Sequence, residues 1–364
     1  MARRKAPRPD VPVAAFATSM SRHSLIRIAL DALSLTHALK WLPAPSDAAG
    51  FIVTLHHVEP QRDASFQPNG FLSVTPEFLD RFLSHFIARG WRFVSLDDIV
   101  SDTTDAGHGQ RRIAVTLDDG YRDNLEHAWP VFRRHSVPFT IYVCAGFCDR
   151  TSELWWEALD RVIASADSVP MPGAVGETIA TRRTDEKLKA YEVWKDWLTT
   201  EADELQQRVA IRELCAAHGV DLAAIAGELV MDWDEVREIA ADPLASIGAH
   251  TLTHPALARL APNAAFHEMS ASADRIETEI GIRPTSIAFP YGHRAAAGPR
   301  EAGLAEQAGF ATSVTTRPGY IAADGKRHCL RRVSVNGLFQ DVRYLETLLT
   351  PGLWAMRDRI RREN

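Results

Sequence analysis

Residues 113–143 have the sequence IAVTLDDGYRDNLEHAWPVFRRHSVPFTIYV, in which two runs rich in β-branched and aromatic residues flank a helical pattern. The runs Ile113 to Leu117 and Phe139 to Val143 predict strands, and residues 121–135 between them predict a helix. A strand, a helix and a second strand at this spacing are typical of a βαβ unit with parallel strands. This stretch therefore predicts an α/β fold with a mainly parallel sheet.

The alternation of strands and helices continues on both sides of this unit. An apolar run at 51–55 predicts a strand, and Thr75-Pro76 opens a helix with a hydroxyl N-cap and a proline at the first helical position. Further strands are predicted at 91–94, 245–247, 286–289, 311–314 and 330–335, with helices at 96–100, 263–280 and 299–308. The pattern predicts several βαβ units in one sheet.

The pattern changes between about residues 151 and 232. Helices are predicted at 154–164, 185–197 and 201–217, and a Pro/Gly-rich loop at 169–176 separates the first from the others. We interpret this region as a helical insertion in the α/β domain and not as an independent domain.

The length of 364 residues suffices for one large α/β domain with insertions or for two ordinary domains. We assign residues 51–340 to a single barrel domain that contains the insertion. Residues 1–13 are expected to form a disordered basic arm, 14–50 an N-terminal helical extension with a helix at 21–42, and 341–364 a C-terminal helix with a basic tail.

Composition is typical of a soluble globular protein. Hydrophobic residues make up 46% and charged residues 24%, and the formal net charge of −6 gives no general attraction to nucleic acid. The four cysteines lack the spacing of a metal site or of a disulfide framework, which favours a reducing compartment. Polar and charged residues interrupt the segment 14–42, so we expect no signal peptide, no membrane span and a cytoplasmic location.

Residues with metal-binding and acid–base chemistry follow the predicted strands. Asp118 and Asp119 follow the strand 113–117, and His250 and His254 follow the strand 245–247 within Gly-Ala-His-Thr-Leu-Thr-His-Pro. In parallel α/β barrels the C-terminal ends of the strands form the rim where active sites are built. One carboxylate and two imidazoles suit a divalent cation, and the second carboxylate is left to act as a base in metal-assisted hydrolysis.

Three blocks, in this order, resemble the motifs of the NodB-type polysaccharide deacetylases, carbohydrate esterase family 4. Thr116-Leu117-Asp118-Asp119-Gly120 is similar to the T-F-D-D-G block of that family, and the segment His250 to His254 matches H-[ST]-x-x-H. Ala288-Phe289-Pro290-Tyr291-Gly292 resembles the R-x-P-Y-G block, with Ala288 near the position of the arginine. Leu55-His56-His57-Val58 is similar to the Y-H-x-V pattern of the poly-N-acetylglucosamine deacetylase branch.

The resemblance implies a role for each matching position. Asp119, His250 and His254 would bind the cation, which in the family is usually zinc, and Asp118 would be the general base. The backbone N–H of Tyr291 would help stabilise the oxyanion. Arg332 is the candidate that orients the base in place of the missing arginine, and His56 or His328 the candidate general acid, because the closing leucine-x-histidine block of the family is not evident.

Each of these residues also has a structural interpretation. Asp118-Asp119 could cap the following helix, the histidines could be ordinary loop residues, and Tyr291 and Arg332 could serve only a turn and a surface ion pair. His56 and His57 could have a purely structural role at the end of a strand. Trp155 and Trp156 suit a sugar-stacking cleft, but packing in the core of the insertion is the expected role.

We therefore expect a distorted (β/α)7-type barrel with a helical insertion. The expected function is metal-dependent removal of the N-acetyl group from an N-acetylhexosamine-containing poly- or oligosaccharide. Two alternatives stay open: a catalytically retired barrel that only binds an acetylated glycan, and a deacylase of a lipid-linked sugar or a non-sugar amide. The sequence leaves the oligomeric state undetermined.

Overall fold

The computed structural model describes residue 31, residues 42–101 and residues 111–363. The predicted basic arm at 1–13 lies outside the described residues, as does the predicted helix at 21–42 except for Asp31 and Leu42. The domain boundaries given above stay a proposal.

Thirteen strands are present in the described part of the chain. They are β1 (Ala48–Leu55), β2 (His57–Val58), β3 (Ser73–Val74), β4 (Arg92–Phe93), β5 (Arg112–Leu117), β6 (Phe139–Val143), β7 (Ser168–Pro170), β8 (Thr178–Ala180), β9 (Ala245–Ala249), β10 (Ser286–Ala288), β11 (Thr312–Val314), β12 (Ile321–Ala322) and β13 (Arg332–Ser334). The first begins at Ala48, three residues before the predicted start of the barrel domain.

Seven parallel strands form a barrel-like ring. The order β11-β10-β9-β6-β5-β1 gives six of them, and β13 pairs in parallel with β1 on the opposite side from β5. The ring is completed where Leu330, just before β13, forms a parallel bridge with Val314 of β11. Two short strands extend the sheet outside the ring, β4 beside β5 and the antiparallel β12 beside β1. The expected distorted (β/α)7-type barrel is confirmed.

The central strands are buried on both faces. In β5 all six residues are buried, and in β1 every residue after Ala48 is buried. Helices cover the outside of a parallel barrel and side chains fill its inside, so an unbroken apolar run is the expected pattern for such strands. Because β5 is held in the core along its whole length, its carboxyl end has a defined position. Asp118 and Asp119, which follow Leu117, therefore lie at a defined point of the barrel rim.

Thirteen α-helices are described. They are α1 (Pro76–Ala88), α2 (Leu96–Ser101), α3 (Trp129–His135), α4 (Ala145–Cys148), α5 (Trp155–Ser165), α6 (Thr184–Asp196), α7 (Glu204–His218), α8 (Leu222–Leu229), α9 (Trp233–Ala240), α10 (Pro262–Ile280), α11 (Pro299–Gln307), α12 (Val342–Leu348) and α13 (Pro351–Glu363). Thr75 caps α1 as predicted, because its side chain accepts a hydrogen bond from the N–H of Phe78 at 3.1 Å. None of the described helices is both long and apolar enough to cross a bilayer.

Several elements differ from the prediction. The predicted helix 121–135 contains a π-helical turn, Asn124–Ala128, shortly before Pro130, whose ring nitrogen cannot donate the regular helical hydrogen bond. The predicted loop 169–176 lies inside the antiparallel pair of β7 and β8, and α8 was not predicted. The single predicted C-terminal helix is two helices, because Pro351 disfavours helical backbone in the residue before it. All four cysteines are free thiols.

Candidate active site

Asp119, His250 and His254 converge at the carboxyl ends of β5 and β9. The Oδ1 atom of Asp119 lies 3.3 Å from Nε2 of His250 and 3.3 Å from Nε2 of His254. One ligand atom from each residue fits within a group whose members all lie within 4.8 Å of one another. All three residues are buried, with at most 8% of any one exposed. Three residues predicted from two distant motifs therefore form one compact cluster.

The backbone at this rim adopts a conformation that side chains rarely take. Asp119, Thr251, His254 and Tyr291 all have positive φ angles, of 72°, 65°, 61° and 60°. Left-handed backbone costs a non-glycine residue free energy, and such residues are enriched at functional sites. In this chain four of them surround a single cluster of polar side chains.

The cluster leaves polar atoms available to a ligand. Asp119 Oδ1 and His254 Nδ1 are buried and have no hydrogen-bond partner among the described residues. The Nδ1 atom of His250 lies 2.8 Å from the carbonyl oxygen of Ala288, to which it donates, so Nε2 is the ring atom that faces Asp119. This second contact is typical of metal-binding histidines, because it sets the tautomer and the ring orientation. The donor set fits a divalent cation.

Aromatic rings enclose His254. The centroid of its ring lies 5.5 Å from that of Phe147, 5.0 Å from that of Trp156 and 5.1 Å from that of Tyr291. These rings exclude water from one side of the cluster, and a low local dielectric strengthens any electrostatic interaction inside it.

Asp118 is held by a fully buried arginine. Arg332, on β13, donates from Nη1 to Oδ1 of Asp118 at 2.7 Å and from Nη2 to Oδ2 at 2.6 Å. The same guanidinium donates to Thr116 Oγ1 and to the carbonyl oxygen of Thr315, both at 3.0 Å. Arg332 is 0% exposed, so it is not a surface residue. The predicted orienting contact between Arg332 and Asp118 is present.

The electrostatics of the two aspartates follow from these contacts. Burial raises the pKa of Asp118, but the charge and hydrogen bonds of Arg332 outweigh burial and hold that pKa below its ordinary value. Burial also raises the pKa of Asp119, yet the contacts with His250 and His254 place it well below its usual range. Neither carboxylate caps the following helix, because their contacts are with Arg332 and the two imidazoles. Both are therefore carboxylates at neutral pH.

The candidate histidines for the general acid lie in different places. Burial lowers the pKa of His56, and the carboxylates of Asp119 and Asp118 act on it in the opposite direction, which places the half-buried ring near both acids. His328 contacts Ser313 Oγ at 3.2 Å, and the charges that act on its pKa are those of Glu306 and Arg327. The structure thus brings His56, and not His328, to the aspartates.

Tyr291 and the two tryptophans form one wall of the cluster. The Nε1 atom of Trp155 donates to Tyr291 Oη at 2.9 Å, and Nε1 of Trp156 donates to Tyr121 Oη at 2.9 Å. Each tryptophan is only 7% exposed, so both pack in the core and neither offers an open stacking face, as expected. The hydroxyl of Thr316 donates to the carbonyl oxygen of Tyr291 at 2.6 Å, which fixes the turn that carries the proposed oxyanion N–H.

Two acidic residues that sequence reasoning missed support the site. Glu268, on α10, accepts hydrogen bonds from the N–H groups of Leu252 and Thr253 and from the Thr253 hydroxyl, and thereby holds the loop between the two histidines. Asp123 contacts Nδ1 of His57 at 2.5 Å and accepts from the N–H of Val58 at 2.9 Å. Neither residue belongs to a recognisable sequence motif, because each contacts residues that only the fold brings close to it.

Sequence comparisons find similarity to polysaccharide deacetylases over part of the chain. The polysaccharide deacetylase family model matches residues 199–311, less than a third of the chain, which include both histidines of the cluster. The curated "Putative polysaccharide deacetylase YxkH" of Bacillus subtilis (strain 168) is 21% identical over 236 residues. That alignment spans 64% of this chain and 55% of the length of the relative.

Solved structures share the fold at low sequence identity. The Streptococcus pyogenes deacetylase PplD, in complex with acetate, superposes with a TM-score of 0.53 at 16% identity, over 83% of this chain and 98% of that one. The de-N-acetylase from Aggregatibacter actinomycetemcomitans also has a TM-score of 0.53, at 14% identity, over 82% of this chain and 99% of that one. The family match, the curated relative and these folds are all similar to this chain, and each of them is a polysaccharide deacetylase or a deacetylase by its description.

Proposed function

We propose that the chain is a metal-dependent amidohydrolase that removes the N-acetyl group from an N-acetylhexosamine in a poly- or oligosaccharide. The products are acetate and a free amine on the sugar. One observation carries the proposal: the Asp119, His250 and His254 cluster lies beside a second carboxylate, Asp118, which Arg332 holds in a fixed orientation. Cation ligands and a separate base are the parts that metal-assisted amide hydrolysis requires.

The cation would be held by a carboxylate oxygen of Asp119 and the Nε2 atoms of His250 and His254. Three protein ligands of this kind, with further positions left for solvent and substrate, suit catalytic zinc, which is the metal we expect. When bound, the cation would polarise the acetyl carbonyl and lower the pKa of the attacking water. The unpartnered Oδ1 of Asp119 supports this assignment, since a buried carboxylate oxygen without a partner is costly.

Asp118 would accept the proton of the attacking water. Its two hydrogen bonds with Arg332 leave lone pairs free, because an ionised carboxylate can accept about four hydrogen bonds. A bidentate guanidinium also fixes the plane of the carboxylate, which a single ammonium does not do. We assign Arg332 the positioning role that the family arginine would fill near Ala288.

Two further groups complete the proposed reaction. The backbone N–H of Tyr291, on a left-handed residue, would donate to the oxygen that becomes negatively charged as water attacks the carbonyl. His56 would give a proton to the departing nitrogen, since it is the candidate histidine near Asp118 and Asp119. The ring of His56 is half-buried, so it can reach both substrate and solvent.

A screen of acetate release tests the proposal. Purified protein of measured metal content is incubated with acetylated oligosaccharides of several linkages, with an acetylated lipid-linked sugar and with a non-sugar amide. We expect release from at least one acetylated oligosaccharide and none after removal of the metal. Binding of a glycan without release, at full metal content, would favour the retired barrel, and release from only the lipid-linked or non-sugar compound would favour the other alternative.

A further inference from the structure

A second polar pocket lies next to the candidate active site. It has a volume of about 130 Å³ and lies between the segment that follows β1 and the helix α5. Its polar lining consists of His57, Glu59, Arg62, Gln67, Asn69, Ser73, Glu157 and Asp160. Typical pockets for whole organic ligands hold roughly 300–1,000 Å³, so this pocket suits one small polar group.

The two arginines near this pocket, Arg62 and Arg161, already form ion pairs with Glu59 and Glu228. Arg62 donates to Glu59 Oε2 from Nε at 2.9 Å and from Nη2 at 2.6 Å. Arg161 pairs with Glu228 at 2.9 Å. Both carboxylate oxygens of Glu59 therefore have a hydrogen-bond donor: Arg62 donates to Oε2, and the hydroxyl of Ser73 donates to Oε1 at 2.6 Å.

Two carboxylates of the pocket, the buried Glu157 and the partly exposed Asp160, form no close ion pair with an arginine or lysine in the described part of the chain. The side chain of Glu157 is 7% exposed, and its Oε1 atom has only a 3.4 Å contact with Asn69 and a 3.9 Å contact with Nε2 of His57. The side chain of Asp160 makes no hydrogen bond or ion pair with any described residue. Burial raises the pKa of Asp160 to about 7 and raises that of Glu157. A partly desolvated carboxylate without a close cation is costly, and a cationic ligand would lower that cost.

One layer of side chains separates the pocket from the metal-ligand cluster. The ring of His57 stacks on Tyr121 with centroids 3.5 Å apart, and Tyr121 Oη accepts from Trp156, whose ring lies 5.0 Å from that of His254. The pocket and the cluster thus lie on opposite sides of the Tyr121 and Trp156 side chains.

We propose that the carboxylates of Glu157 and Asp160 bind the ammonium group of a hexosamine unit that has already lost its acetyl group. The inference rests on the proposed function and deepens it: the preferred glycan is partly deacetylated, with a free amine near the acetylated unit to be hydrolysed. The ammonium donates hydrogen bonds to both carboxylates, and the acetamido group of an acetylated neighbour cannot replace that charge.

Binding of two matched trisaccharides tests this inference. Isothermal titration at neutral pH compares a glucosamine trimer with its fully N-acetylated counterpart on the wild-type protein, Asp160→Asn and Glu157→Gln. We expect the wild type to prefer the amine, and each variant to lose about tenfold in affinity for the amine alone, as for a hydrogen bond to a charged group. Asp167→Asn, at a carboxylate whose side chain is 80% exposed, is the control and should match the wild type.

Two results would overturn the inference. One is equal affinity of the wild type for both trimers with no effect of Asp160→Asn. The other is a second equivalent of Zn²⁺ or Mg²⁺ that binds the wild type and is lost in Asp160→Asn. Thermal unfolding shows whether each variant is folded. Acetate release measured in parallel separates the two proposals. A protein that prefers the amine but releases no acetate contradicts only the proposed function. A protein that releases acetate but does not prefer the amine contradicts only the pocket assignment.

Discussion

The guanidinium of Arg332 donates two parallel hydrogen bonds to the carboxylate of Asp118, at 2.7 and 2.6 Å. The two residues come from neighbouring parts of the ring, because β13 and β5 pair with opposite sides of β1. The strand that completes the barrel therefore also positions the proposed base.

Arg332→Lys should lower kcat by about 10–100-fold with little change in KM or metal content. Lysine keeps the charge but cannot form the planar two-point contact, so the carboxylate loses its fixed orientation. Arg332→Met should in addition destabilise the protein by about 3–5 kcal/mol, because it leaves Asp118 charged, buried and unpaired. Arg331→Lys, at a partly exposed arginine that pairs with Asp358, is the matched control. Wild-type kcat in Arg332→Lys would refute the positioning role.

Removal of the metal should lower the melting temperature of the wild type. A ligand that binds only the folded state stabilises it by about 2.7 kcal/mol at one hundred times its dissociation constant. His250→Ala and His254→Ala should show no metal-dependent stabilisation, since each removes one of the three proposed ligands. His328→Ala should keep it, because His328 contacts Ser313 and not the cluster. Differential scanning calorimetry with and without zinc would decide, and an unchanged response in His250→Ala would argue against this ligand set.

Gly248→Ala should destabilise the protein by about 1–3 kcal/mol and reduce turnover. A methyl group at this position would overlap the ring of Tyr142 and approach Ser286 Oγ to 3.0 Å. The Tyr142 ring also lies 5.7 Å from the guanidinium of Arg332, so its displacement would disturb the support of Asp118. Gly303→Ala is the control, because the added methyl group meets nothing within 4 Å and alanine favours the helix. Urea unfolding of both variants gives the comparison.

Asp160→Asn should stabilise the ligand-free protein more at pH 8 than at pH 5. The folded pKa of Asp160 is raised to about 7, so the folded state binds a proton that the unfolded chain releases near its ordinary pKa of about 4. Wild-type stability therefore falls as pH rises from about 4 to 7, and the asparagine variant lacks this loss. Allowing for partial exposure of the side chain, we expect a difference of about 1–3 kcal/mol in the free energy of unfolding. A pH-independent difference would contradict the raised pKa.

The strands and the metal-ligand cluster could be predicted because their signals are local. The run Ile113 to Leu117 is apolar except for Thr116, as is typical of a strand buried on both faces, and Asp118 and Asp119 directly follow its end. His250 and His254 follow the predicted strand 245–247, which corresponds to β9, in the same way. The common edge of a parallel sheet then brings residues from distant motifs together.

The supporting contacts could not be read from the sequence because they depend on tertiary packing. Glu268 is one of several glutamates on α10, and only the folded loop identifies it as the acceptor of three hydrogen bonds. The π-helical turn at Asn124–Ala128 and the pairing of β7 with β8 likewise lack a distinct pattern. Arg332 could be named as a candidate, but its complete burial and its two-point contact appear only in the fold.

The decisive measurement is metal content and acetate release on the same sample of Asp118→Asn. The variant should bind as much metal as the wild type, because Asp118 is not among the proposed ligands, and its kcat should fall by about 10²–10⁴-fold, the range expected for loss of a general base. Near-normal kcat at full metal content would show that Asp118 is not the base, and loss of the metal would place Asp118 among its ligands.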